Sequence, residues 1–350
     1  MNGKLARRIK FGSTVIGAPA GALSGIKIRA IINRDRLSGA IFHKPLLDKS
    51  REGHMNFDIG VKSDAGQKRK EAPNQDSVRV YLSPDGKRPP LVLVADGMGG
   101  LKGGALASQT VSEYFTRGFE SMPLDGDLHA HFQRLLDYTL QGVKYVSGQN
   151  SDDLSQMGST LVAAILLDDR VHMVNVGDSR AYMINSREIR QISQDQTVVA
   201  EGMRAGIITP AEAEVHPKRH VLSMSLSAQR EVVRGFSDTL AWAAGDALLL
   251  CSDGLWNVVP EEDIWKTVCS MQPQAAAAQL VDLANAAGGP DNISVIVVRR
   301  AGEAPELPGS PLVKSGAKKP GKGFLPWTWI AAGSACQPGL AAGGVGFAVR

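Results

Sequence analysis

The stretch that most restricts the fold is "STLVAAILLDDRVHMVNVGDSRAYMI", residues 159–184, in which three strand-like runs follow one another with only short polar breaks. A parallel crossover needs about a dozen residues, commonly a helix, so neighbouring runs this close must pair antiparallel. The runs are almost continuously apolar, which requires cover on both faces of the sheet. Strands are predicted at 78–82, 91–95, 160–167, 171–176, 180–184, 246–252 and 293–298, after a first strand in "NFDIGVKSD". Helices are predicted near 104–119, 127–147, 261–270 and 274–287. The pattern implies stacked sheets flanked by helices.

Several of these apolar runs end in an acid. "LVLVADGMGG" closes on Asp96 and Gly97, "DALLLCSDGLW" on Asp253 and Gly254, and "VHMVNVGDSRAY" on Gly177 and Asp178, while Asp291 stands at the entrance to "NISVIVV". A single Asp-Gly pair is ordinary turn punctuation. Four strand-edge acids suggest a common site. Carboxylates with no His or Cys among them suit hard divalent cations such as Mg2+ or Mn2+. A glycine beside such an acid would let a carbonyl or a water approach the ion. Two cations sharing one carboxylate would acidify a water between them and direct it at phosphorus, which is hydrolysis rather than transfer to an acceptor. "GMGG" is neither a Walker loop nor a Rossmann fingerprint, because no Gly-Lys-Ser/Thr follows it and no GxGxxG opens a helix there, so nucleotide binding is unsupported.

Composition divides the chain. Residues 1–54 hold eleven Lys and Arg against three Asp and Glu, whereas the whole chain has a net charge of only +4, so the remainder is acidic, as suits a cation site. This N-terminal segment has no sustained period, and translation beginning at Met55 is the working expectation for it. Residues 56–300 form the expected folded domain. Residues 301–323 are a Pro/Gly/Lys linker, followed by an uncharged run, 324–349, long enough to cross a bilayer despite Pro338. Lys314, Lys318, Lys319 and Lys322 precede that run, which predicts a single C-terminal span with the folded body in the cytoplasm. Cys251, Cys269 and Cys336 lie far apart without metal-binding spacing, in keeping with a reducing compartment.

Taken in order, "APNQDSV", "LVLVADGMGG", "GSTLVAAIL", "VNVGDSRAY", "LLLCSDGLW" and "GGPDNISVIVV" resemble the metal-dependent protein phosphatase family, the type 2C serine/threonine phosphatases, in its bacterial form. The resemblance spans about 56–300. It implies an α+β fold, a four-layer α-β-β-α sandwich with a dinuclear metal cleft at one end, and Mg2+ or Mn2+ as two core ions with a third in bacterial members. By the same resemblance Asp96 bridges both metals and the Gly97 carbonyl binds the second. Asp253 and Asp291 complete the first, and Asp178 with Asp253 holds the third, the alternative for Asp178 being a turn-fixing acid paired with Arg180. Asn292 is expected to buttress its loop.

The chain departs from the family in several places. Gln75-Asp76 stands where Glu-Asp is usual, which leaves Asp76 available but makes its neighbour an amide that would accept from a metal-bound water and weaken the second site. Gln75→Glu is therefore expected to tighten Mn2+. The segment before it, "GQKRKEAPNQD", is longer than usual, and Arg69 is the best match to the phosphate-binding arginine, with Lys68 and Lys70 as rivals. Met98 occupies a position that in some relatives holds a proton-donating histidine. "VHPKRH" at 215–220 falls where the family has a flap beside the cleft.

The expected activity is hydrolysis of phosphoserine and phosphothreonine in proteins. The alternatives are a catalytically silent binding module of the same fold, or a small-molecule phosphomonoesterase. The partners expected are phosphoproteins and an opposing serine/threonine kinase, with no nucleic acid, and the chain is expected to be a monomer.

Overall fold

In the computed structural model the described residues are 57–124, 126–149 and 154–302. The N-terminal segment, the linker and the uncharged C-terminal run, with the alternative start and the membrane span assigned to them, lie outside these. Among the described residues no helix is long and apolar enough to cross a membrane.

Among the described residues twelve strands and seven α-helices follow in the order β1 (Phe57–Asp64), β2 (Asp76–Tyr81), β3 (Leu91–Met98), α1 (Gly100–Ser121), α2 (Leu128–Gln149), β4 (Gly158–Ser159), β5 (Leu161–Leu166), β6 (Arg170–Val176), β7 (Arg180–Ile184), β8 (Ile189–Gln191), α3 (Val198–Arg204), α4 (Pro210–Val215), β9 (Leu226–Ser227), β10 (Phe236–Ala241), β11 (Ala247–Cys251), α5 (Asp253–Trp256), α6 (Glu261–Ser270), α7 (Pro273–Ala286) and β12 (Ile293–Arg300). One sheet has the order β1-β12-β11-β7-β8, the other β10-β6-β5-β3-β4-β9, with β2 also on β3. The pairings are antiparallel, as the short breaks between runs require.

The two-residue period of the strands divides the interior into three cores. In β3, Leu91, Leu93 and Ala95 join the core beneath α1 and α2, while Val92 and Val94 face the core between the sheets. In β11, Ala247, Leu249 and Cys251 pack under α6 and α7, and Leu248 and Leu250 join the central core. Three cores separate four layers, the α-β-β-α sandwich. On α1, Ala107, Val111, Phe115 and Phe119 recur every four residues and are fully buried.

Several short elements were absent from the pattern. β10, "FSDTLA", is an edge strand whose Asp238 and Thr239 are exposed, so it carries no apolar alternation. α4 did leave a signal: Thr209 caps it, Glu212 returns the bond to the Thr209 N–H, and Pro210 opens it. The acids also sit differently from expectation. β3 continues through Asp96 and Gly97 because Gly97 and Met98 pair with Ser159 and Gly158, and the turn begins only at Gly99, whose φ of 119° favours glycine.

Phe115→Ala should destabilise the chain by about 3–5 kcal/mol, the cost of a large core cavity. Urea unfolding would show this as a lower midpoint at unchanged slope.

Candidate metal centre

Pairing between β2 and β3 sets Asp76 directly opposite Asp96. Asp253 opens the short α5 after β11, Asp178 lies in the turn between β6 and β7, and Asp291 lies two residues before the start of β12. The backbones meet closely here. A Cβ on Gly97 would lie 1.9 Å from the Gly104 carbonyl oxygen, and one on Gly254 would lie 2.0 Å from the Asn292 carbonyl oxygen. Protein backbone therefore fills the place that a side chain at either position would need.

The carboxylates are held from behind. Ser252 Oγ donates to Asp76 Oδ2 at 2.7 Å, the Asp96 N–H donates to Thr160 Oγ1 at 3.0 Å, and Asn257 Nδ2 donates to Asp253 Oδ2 at 3.2 Å. Asn292 buttresses its loop, its Oδ1 accepting from the Gln75 N–H at 2.8 Å and its Nδ2 donating to the Ala65 carbonyl at 2.9 Å. Asp76 and Asp178 are 4% and 6% exposed.

The acids act on one another. Burial, then Asp76, Asp253, Asp178 and Asp291, hold Asp96 well above the usual carboxylate range. Burial raises Asp76 to about 7 against opposing hydrogen bonds from Ser252 and Ser294, with Asp253 and Asp291 adding to the rise. Burial and then Asp253 and Asp195 raise Asp178 to about 7, while burial and Asp291 raise Asp253 to about 6. All five predicted acids therefore belong to one electrostatic cluster.

Among the described residues no three His, Cys, Asp or Glu side chains stand at the spacing of a finished ligand set. Asp291 Oδ1 pairs with Arg69 Nη1 at 2.8 Å, and Asp76 Oδ2 accepts from Ser252. The residues nonetheless fit a hard cation. Asp76 Oδ1 and Asp253 Oδ1 are buried with no donor against them, and a dense group of oxygen ligands beside them suits Mg2+ or Mn2+.

Arg69 also reaches the cluster, its Nη1 donating to Gln75 Oε1 at 3.1 Å as well as pairing with Asp291. Arg180 makes its ion pair with Asp195, and its charge opposes the rise at Asp178. It makes a double hydrogen bond to Asp195, with Nη2 to Oδ2 at 2.7 Å, and lies 3.5 Å over the Trp256 ring. Trp256 Nε1 in turn donates to the Asp178 carbonyl at 3.0 Å. Ser252, Asp195 and Trp256 were not singled out in the sequence, where Trp256 had a signal only in its place after Asp253-Gly254.

Comparison with known proteins accords with this geometry. The sequence pattern described as protein phosphatase 2C matches residues 65–286. The chain belongs to the protein phosphatase 2C family. It is 33% identical over 232 residues to the serine/threonine phosphatase Stp of Listeria monocytogenes, covering 65% of this chain and 90% of that one. The crystal structure of the Mycobacterium tuberculosis serine/threonine phosphatase PstP/Ppp superposes with a TM-score of 0.62 at 34% identity, covering 70% of this chain and 99% of that one. A structure of the PstP catalytic domain in complex with two manganese ions is 33% identical, with a TM-score of 0.59 over the same shares. The enzyme is a protein phosphatase with the sandwich of its family.

Raised carboxyl pKa values set the sign of a pH effect. In the unfolded chain these acids have pKa values near 4, so without cations the folded state holds more protons between about pH 4 and 7, and the cluster's contribution to stability is lost as pH rises through that window. A cation competes with those protons. The rise in Tm produced by Mn2+ should therefore be small at pH 5 and large at pH 8, as read by thermal unfolding with and without the metal.

Proposed function

We propose that the five clustered aspartates and Arg69 are the machinery by which this phosphatase removes phosphate from phosphoserine and phosphothreonine in proteins. The observation that carries the reading is the joining of Asp96, Asp76, Asp178, Asp253 and Asp291 in one field, with two buried oxygens lacking donors. Asp96 would bridge two cations, the Gly97 carbonyl and Asp76 would serve the second, Asp253 and Asp291 the first, and Asp178 with Asp253 a third. Mg2+ and Mn2+ are equally suited by this oxygen set. Cations held there would supply Lewis acidity toward water and the phosphoryl oxygens.

The chain's own contribution is placement. β2 and β3 fix Asp76 against Asp96, Ser252 orients Asp76, and Thr160 holds the Asp96 backbone. Arg69, 38% exposed and already bound to a carboxylate oxygen, has the fork geometry that suits a phosphate dianion. Arg69 rather than Lys68 or Lys70 is favoured because its guanidinium contacts both Asp291 and Gln75. With Met98 in β3 beside the site, no histidine is available there to protonate the leaving alkoxide, and water is left to do so.

Phosphoprotein substrates and an opposing serine/threonine kinase are the partners proposed, supported by the serine/threonine phosphatase names of the relatives. A tether through 324–349, with the catalytic body in the cytoplasm, is supported by the uncharged run and the lysines before it.

Full-length protein should hydrolyse phosphothreonine peptides in Mn2+, lose activity in EDTA, and prefer phosphopeptides to sugar phosphates. Asp96→Asn should remove turnover while leaving the fold intact by circular dichroism. Turnover retained in that variant would displace the cluster from the chemistry.

A further inference from the structure

Gln75 is 8% exposed, and each of its polar groups is engaged. Its side-chain Nε2 donates to the Gly100 carbonyl, at the start of α1, at 2.6 Å, and its Oε1 accepts from Arg69 Nη1 at 3.1 Å. Only this orientation of the amide sets a donor against an acceptor at both ends: reversed, it would turn NH2 toward a guanidinium and oxygen toward a carbonyl. The backbone is tied as firmly, the N–H to Asn292 Oδ1 at 2.8 Å and the carbonyl to the Gly97 N–H at 3.0 Å. Packing allows the side chain little other choice, since a Cβ on Gly104 would lie 2.2 Å from Nε2.

We infer that Gln75 is a positioning residue for Arg69, fastening the guanidinium to the first turn of α1, and that it takes no place among the cation ligands or their waters. The inference rests on the reading of Arg69 as the phosphate contact. An amide suits this post because it can donate to a carbonyl and accept from a guanidinium at once. Glutamate cannot. Its second oxygen would face the Gly100 carbonyl oxygen without a proton between them, while its charge would draw Arg69 into an ion pair and away from an anionic substrate. Gln75→Glu should therefore weaken phosphate, while its added charge beside the cluster draws Mn2+ whether or not it is a ligand, so Mn2+ affinity is read from the uncharged variant.

The experiment compares full-length wild type with Gln75→Met, Gln75→Glu, Arg69→Ala and the Arg69→Ala/Gln75→Met pair. Mn2+ affinity is measured by calorimetry without substrate, inhibition by inorganic phosphate gives Ki, and a phosphothreonine peptide gives KM and kcat. Arg69→Ala should raise Ki and KM by about tenfold or more, as expected for one lost charge-assisted contact. Gln75→Met should raise both by about threefold to tenfold, the worth of one or two neutral hydrogen bonds. In that variant kcat and Mn2+ affinity should stay within about twofold, and Gln75→Met should add no more than that in the Arg69→Ala background. Gln75→Glu should raise Ki and KM in the same way, and the uncharged Gln75→Leu carries the test if the methionine variant does not fold. A change in Mn2+ affinity beyond about fivefold in the uncharged variant, or a full additional effect in the pair, overturns the inference. An unchanged Ki in Arg69→Ala instead refutes the reading of Arg69 itself.

Discussion

Mutual repulsion among buried carboxylates is the constraint around which the rest of this molecule is arranged. Burial and neighbouring carboxylates raise the proton affinity of four aspartates, Asp96, Asp76, Asp178 and Asp253, at one end of the sandwich, with the charge of Asp291 contributing to the rise at Asp96, Asp76 and Asp253. Such a group is unfavourable to fold unless protons or cations relieve it. The surrounding frame is correspondingly tight. Gly97 abuts Gly104, Gly254 abuts Asn292, and Gly66, at φ 78°, sits where a Cβ would be 2.0 Å from the Asp291 carbonyl oxygen. These contacts leave no room for a side chain between the loops. Stability is given up for a site that is ready to bind charge.

The two arginines nearest the cluster illustrate different uses of one side chain. Arg180 has 18% of its side chain exposed, forms a double hydrogen bond to Asp195 and stacks on Trp256, so it is held in place, and it acts on the site through its charge at Asp178 and through the Trp256 bond to the Asp178 carbonyl. Arg69 is about twice as exposed and reaches Asp291 and Gln75 through one nitrogen, Nη1. The first is built to stay in place, the second to meet an anion. Gln75 makes that division workable, because it restrains Arg69 without neutralising it.

The sequence by itself determined the layers. Runs such as Leu91–Ala95 and Leu161–Leu166 had to be covered on both faces, and the short breaks after Leu166 and Val176 left only antiparallel pairing, so two sheets with helices outside them followed from local pattern and chain length. It also marked four of the five acids, because a carboxylate at the edge of an apolar strand is conspicuous, and the order of the motifs carried the family and with it Asp76. What only the tertiary structure decided was who meets whom. Asp195 lies fifteen residues from Arg180 and Ser252 lies 176 from Asp76. Neither pairing leaves a periodic trace, since a hydrogen bond between distant residues depends on sheet order and register and not on neighbours in the chain. The same holds for Gln75, which in sequence was only an amide in place of an acid. Its role emerged once packing set Gly100 on one side of it and Arg69 on the other, because an amide is defined by the donor and acceptor it faces, and only the folded chain supplies them.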